Sequence, residues 1–270
     1  TMATLLIGGA IVTGIAAGAA AGTGAYTYHR YKKKAALKGN QLFGVPLLTL
    51  KKDFFTKEEV PYIIEVCCAE IENRNLFVPI MWKDIFQEAK PESIENRDET
   101  KVLIGKLSSP KQRHQKRACF EDLKVVDVVE IFLYYLNTLP DPLFTFAFFS
   151  QFIQLQEDFT KTQNFDEWRD MATDLFYQIP KLHRLAVLRI MRMCSSLLQN
   201  ILEPNERDEL LIAMSQKLLL SFLCPREFSV DGNKEKLDEF GVPCLSTLIV
   251  NYGALVSCLA LKQEEQEQSV

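Results

Sequence analysis

Side chains able to do chemistry are few and scattered in this 270-residue chain. Its three histidines, His29, His114 and His183, fall in a basic flank, a charged loop and a helix start. Each is expected to be a surface residue rather than a general base. Cys67 and Cys68 are adjacent rather than spaced as C-x-x-C, and no Cys/His set has zinc spacing. A phosphate-binding P-loop, a G-x-G-x-x-G after a strand, a G-x-S-x-G elbow and an H-E-x-x-H helix are all missing. The carboxylate pairs Glu58-Glu59 and Glu121-Asp122 sit among polar neighbours, where solvation or helix capping explains them. Nothing here calls for a metal or a cofactor, and the residues alone describe an interaction domain.

Composition bounds the rest. With 47% hydrophobic residues and 18 Phe, the chain can bury a sizeable core, which excludes global disorder. A formal charge of −4 argues against nucleic acid as a partner. The seven cysteines (67, 68, 119, 194, 224, 244 and 258) are odd in number and mostly inside apolar helical patterns. That fits reduced, buried thiols in a cytosolic compartment.

Two stretches suggest contacts outside the chain. Residues 3–28 carry no charge, and a bilayer core takes roughly 20 helical residues. Gly14, Gly18 and Gly22 sit four apart, a small-residue stripe through which two such helices could self-associate. His29-Arg30-Tyr31-Lys32-Lys33-Lys34 follows directly. The missing basic n-region, the long apolar run and the charge on its far flank weigh against a cleaved signal peptide. By the positive-inside rule, the N-terminus is translocated and the bulk of the chain stays cytosolic. The membrane is either the endoplasmic reticulum or the outer mitochondrial membrane; a surface-lying Gly/Ala segment is the plainer alternative. The second stretch is a basic run with Lys111, Arg113, Lys116 and Arg117, by default a solvated loop and otherwise a contact for acidic lipid or an acidic protein.

The elements that must position any site are helical. From Val125 to Leu139 apolar residues fall on nearly every side of a helical wheel, predicting a helix buried all round. Pro140 and Pro142 end it in a rigid corner, LPDPL. Thr145 is then placed to cap a helix with Phe146, Phe149, Phe152 and Ile153 on one face. Pro61 opens a helix striped by Ile64, Cys67, Cys68 and Ile71. Residues 73–120 predict a loop region with one or two short helices. Further helices are expected over the Trp168–Ile179 stripe, Leu182–Ile201, Leu210–Leu223 and Val242–Leu261, with Asn205, Asp208 and Glu209 as a capped start for the third. Residues 227–240 read as a loop. The expected organisation is an anchor with its basic flank at 1–34, a linker at 35–41, an all-α bundle at 42–261 and a charged, frayed tail at 262–270. Phe132, Leu136, Leu139, Phe146 and Leu188 are assigned to its core.

In order and spacing these motifs resemble the RhoGAP domain, the module that activates GTP hydrolysis by Rho-family GTPases. Phe43-Gly44-Val45-Pro46-Leu47 is similar to the family's opening FGVPL. Val60-Pro61-Tyr62-Ile63-Ile64 with Cys67 and Ile71-Glu72 resembles its first helix. Val128-Val129 through Leu139-Pro140-Asp141-Pro142-Leu143 resembles its central helix and LPEPL corner, the most specific of the matches. Gln178-Ile179-Pro180-Lys181 and Leu210–Pro225 are similar to later landmarks. The resemblance implies an all-α RhoGAP-like bundle and a small GTPase of the Rho family, or a related signalling protein, as partner.

It also implies an arginine finger, and here the sequence departs. Active members insert an arginine from a loop after the first helix, worth on the order of 10³–10⁵ in rate. Residues 76–84, LFVPIMWKD, contain no arginine, and Lys83 stands near the finger position. The central-helix lysine and arginine of the family fall on Leu133 and Asn137, and its late asparagine falls near Ala213. Trp82, Lys83, Leu133, Asn137 and Ala213 are therefore the candidate groove residues. Loss of four polar roles together predicts a catalytically inactive module that binds a GTPase. The alternatives are a weak GTPase activator using Lys83 or a loop arginine such as Arg97 or Arg113, and a scaffold that no longer binds GTPases.

Overall fold

Proline marks the entry to several helices in the computed structural model, which describes residues 42–77, 81–96, 98–108, 120, 123–223 and 237–268. A missing N–H costs nothing at a helix start, and a fixed φ favours the first turn. Pro61 precedes α1 (Tyr62–Phe77). Helix α2 (Trp82–Glu88) is followed by a 3₁₀ turn opened by Pro91 (Pro91–Asn96) and by α3 (Asp98–Leu107). The central helix α4 (Val125–Thr138) leads through the Pro140/Pro142 corner into α5 (Thr145–Thr162) and α6 (Phe165–Gln178). Pro180 is the N-cap of α7 (Lys181–Gln199), and Pro204 opens α8 (Pro204–Phe222). A π-turn at Leu237–Gly241 precedes α9 (Val242–Val250) and α10 (Tyr252–Gln268). Among the described residues the only extended pairing is one isolated bridge between Phe55 and Pro61. The bundle is all-α.

Helix α4 is the axis of the packing. Val128, Val129, Ile131, Phe132, Leu133, Tyr135 and Leu136 are buried, and α1, α2 and α8 pack against it. Its corner is tied to the end of α8: the N–H groups of Leu143 and Phe144 donate to the carbonyls of Ser221 and Phe222 at 2.8 and 2.9 Å. Those carbonyls belong to a last helical turn that has no partner of its own. The corner and the helix end satisfy each other. In the lead-in, Gly44 adopts φ 75°, a conformation that favours glycine and lets the FGVPL segment turn.

Phe132, Leu136 and Leu139 are core residues as expected. Phe146 and Leu188 are only half-buried, and Leu188 packs against the core's edge. Phe144 takes the place expected of Phe146. Its ring stacks on Phe152 at 4.1 Å and meets Phe176 and Phe222 edge-on. Thr145 is the first residue of α5 rather than its cap, at φ 58°.

The 73–120 region holds two short helices, α2 and α3, with the 3₁₀ turn between them, and Trp82, Phe86, Ala89, Ile94, Leu103 and Leu107 form its buried series between the charges. Helix α8 starts at Pro204 without the side-chain cap expected from Asn205. The span Val242–Leu261 is two helices, bent by 71° about Asn251, whose Nδ2 donates to the Thr247 carbonyl. Helix α10 runs on to Gln268, held by an ion pair of Lys262 with Asp174, so residues 262–268 are ordered helix rather than frayed tail. Cys67, Cys68, Cys194 and Cys244 are buried and free; burial pushes the thiols of Cys194 and Cys244 up to about 12.

Among the described residues no single helix is long and apolar enough to cross a membrane. The stretch 3–28 with Gly14, Gly18 and Gly22 lies outside them.

Candidate functional site

The candidate site is built on α2, a short helix gripped at several points. At its start the Trp82 indole N–H donates to the Asn75 side-chain oxygen at 2.6 Å, fastening α2 to the end of α1. At its end Lys217 of α8 donates to the Ala89 carbonyl at 2.8 Å, capping a turn with free carbonyls. The next backbone N–H, of Lys90, donates to the Glu130 carboxylate of α4, also at 2.8 Å. Three helices thus fix the direction of α2.

Lys83, one residue into α2, points to α8. Its ammonium donates to Glu209 Oε2 at 2.7 Å, with the two side chains 35% and 54% exposed. The hydrogen bond to Glu209 and its charge raise the Lys83 pKa, with smaller contributions from Asp84 and Glu206. Asp84, Glu206 and Glu209 surround one ammonium, so the local field there is acidic. An anion reaching Lys83 must displace Glu209 and does so against the charge of Asp84 and Glu206.

The other candidate residues separate into two groups. Trp82, Leu133 and Ala213 are buried at 2%, 0% and 2% exposure, so they support the site from inside and offer no side chain to a partner. Asn137 is half-buried, and its Oδ1 accepts from the Ser221 hydroxyl at 2.8 Å, a link between the ends of α4 and α8. Only Lys83 and Asn137 of the five keep polar atoms near the surface. The basic residues Lys111, Arg113, Lys116 and Arg117, together with Arg97, lie outside the described residues.

Arg74 fixes the other approach to this region. It donates to Glu70 at 2.8 Å and to the carbonyls of Phe120 and Leu123 at 2.7 and 2.6 Å. The chain entering α4 is thereby pinned beside the end of α1.

Lys217, Glu130 and Arg74 carry no signal in the sequence, and Glu209 carries one only as part of a helix start. Glu209 stood in an acidic helix start, but its partner is 126 residues away and no local signal pairs them. His183, expected on the surface, is 2% exposed. Its Nδ1 lies 3.2 Å from the Leu143 carbonyl, and burial lowers its pKa, so a neutral imidazole donates to the corner. It is structural, and no group of His, Cys, Asp and Glu among the described residues could hold a metal ion.

Comparison with known proteins agrees with this architecture. No curated protein matches the chain. Among solved structures, human Rho GTPase activating protein 15 aligns with a TM-score of 0.59 at 18% identity, covering 83% of this chain and 97% of that one. The BH domain from GRAF, the GTPase regulator associated with focal adhesion kinase, aligns with a TM-score of 0.55 at 18% identity, covering 72% and 92%. At such identity these likenesses concern the fold. The RhoGAP domain profile matches residues 61–219, α1 through most of α8, which is more than half of the chain. On that match, and on the central helix, Pro-x-Pro corner and late helix that carry it, the chain belongs to the RhoGAP domain family.

Proposed function

We propose that this chain is a catalytically inactive RhoGAP-like module that docks a Rho-family GTPase and is held at a membrane by residues 3–28. The observation that carries the reading is the state of Lys83. The cation that sequence order sets near the finger position is, among the described residues, an ammonium already bound to Glu209. It lacks the planar fork with which an arginine holds two phosphate oxygens. The supporting positions are also altered. Leu133 and Ala213 are buried apolar residues, and the amide of Asn137 is engaged by Ser221.

Docking does not need those groups. Helix faces and rim charges can hold a GTPase, and rim charges act mainly on encounter rate. The test is the affinity of the full chain for a panel of Rho-family GTPases loaded with a non-hydrolysable GTP analogue. Binding to at least one member is expected, and binding to none contradicts the proposal. For the anchor, retention in membranes through carbonate extraction is expected; release of the full chain would count against it.

A further inference from the structure

Lys83 and Glu209 meet across α2 and α8 from positions 126 residues apart. We infer that Glu209 is a positioning residue that withholds Lys83 from phosphate, an internal anion that a phosphoryl oxygen of a docked GTPase must displace. This rests on the docking reading above.

Three observations support it. Glu209 alone of the three surrounding carboxylates makes the 2.7 Å hydrogen bond; Asp84 and Glu206 act only through charge. Both partners are partly exposed, at 35% and 54%, so an incoming anion can reach the pair without prising helices apart. And α2 is anchored independently of the pair, through Trp82 to Asn75, Ala89 to Lys217 and Lys90 to Glu130. Release of Lys83 is then a side-chain rotation on a fixed helix. An exposed pair is weak, so Glu209 lowers the availability of Lys83 by no more than about fivefold. It acts as a bias against phosphate, not as a lock.

The experiment compares the full wild-type chain with Glu209→Gln and Glu209→Asp. The first readout is the acylation rate of each lysine amine with an active acetate ester, resolved by peptide mass spectrometry. Lys161 (paired with its own Glu157) and Lys217 serve as references. Glu209→Gln is expected to raise the Lys83 rate about two- to fivefold against both references, and Glu209→Asp to retain most of the protection. A rise shared by Lys217 would mean a loosened fold and overturn the inference, as would an unchanged Lys83 rate.

The second readout is affinity for Rho-family GTPases loaded with GDP and aluminium fluoride. Glu209→Gln should gain affinity, and Lys83→Gln added to it should remove the gain. Absence of that gain in proteins that do bind overturns the inference. Faster labelling with no GTPase bound by any variant keeps the masking contact and removes the docking reading. Binding by wild type with unchanged labelling does the reverse.

Discussion

Arg189 lays its guanidinium against the Glu72 carboxylate in a two-bond fork, each bond 2.9 Å long. Its remaining edge holds Glu65 at 2.7 and 3.2 Å, so one side chain of α7 ties two turns of α1. Arg189 is 9% exposed, while Glu72 and Glu65 keep 22% and 36% of their surface. Removing one partner of a fully buried pair costs about 3–5 kcal/mol. Water screening of the two acids lowers the expectation for Arg189→Ala to about 2–3 kcal/mol by chemical denaturation. Arg189→Lys should recover less than half of that, since an ammonium cannot fork. A loss under about 0.5 kcal/mol for Arg189→Ala would show the network to be ornamental.

The aromatic cluster beneath the Pro-x-Pro corner should be costlier to open. Phe144 contacts Phe152, Phe176 and Phe222 with ring centroids 4.1 to 5.5 Å away, drawing together the corner, α5, α6 and α8. Truncation to Ala leaves a cavity bounded by helices fixed elsewhere, so Phe144→Ala is expected to cost about 3–5 kcal/mol. Phe146→Ala, at a half-buried position, should cost less than half as much. Equal losses at the two positions would mean the core centre is misassigned.

His183 gives the fold a pH dependence of definite sign. Its imidazole is buried against the Leu143 and Pro142 carbonyls, and desolvation holds its pKa below the ordinary 6.5. The unfolded chain therefore binds the proton more readily than the folded one. Stability from this group is complete above about pH 6.5 and is lost as pH falls from there towards the folded pKa. His183→Asn keeps a donor towards Leu143 without a titrating group. The difference in unfolding free energy between the two proteins should shrink as pH falls from about 7.5 to 5.5. A pH-independent difference would contradict the buried neutral imidazole.

Much of this architecture was legible in the sequence where local chemistry is decisive. Apolar residues on all sides of 125–139, followed by two prolines, admit little besides a buried helix and a corner. The Glu65/Glu72 spacing of seven puts both acids on one face of α1, yet nothing local says that Arg189 lies across from them. Charge alternation blurred the bounds of the helices of 82–107, because their buried residues are separated by exposed acids and lysines. Val242–Leu261 carries no proline at the point of bending, so the break at Asn251 was invisible. His183 was misplaced because its neighbours Lys181 and Arg184 are polar, while its burial comes from the distant corner. At the candidate site the position of Lys83 followed from order along the chain. Its partner Glu209 did not, since ion pairs between helices are set by packing.

The central claim is that docking proceeds without catalysis, and single-turnover GTP hydrolysis tests it most directly. Rho-family GTPases that bind the chain would be followed with and without a saturating amount of it. An ammonium already engaged by Glu209 supplies little of the charge stabilisation that phosphoryl transfer requires. The expected result is measurable binding with no change in hydrolysis rate. An acceleration of about tenfold or more, a small part of what an arginine finger supplies, would contradict the account. Its loss in Lys83→Ala would identify a lysine-finger enzyme, and its loss on changing Arg97 or Arg113 would place the finger in the long loop.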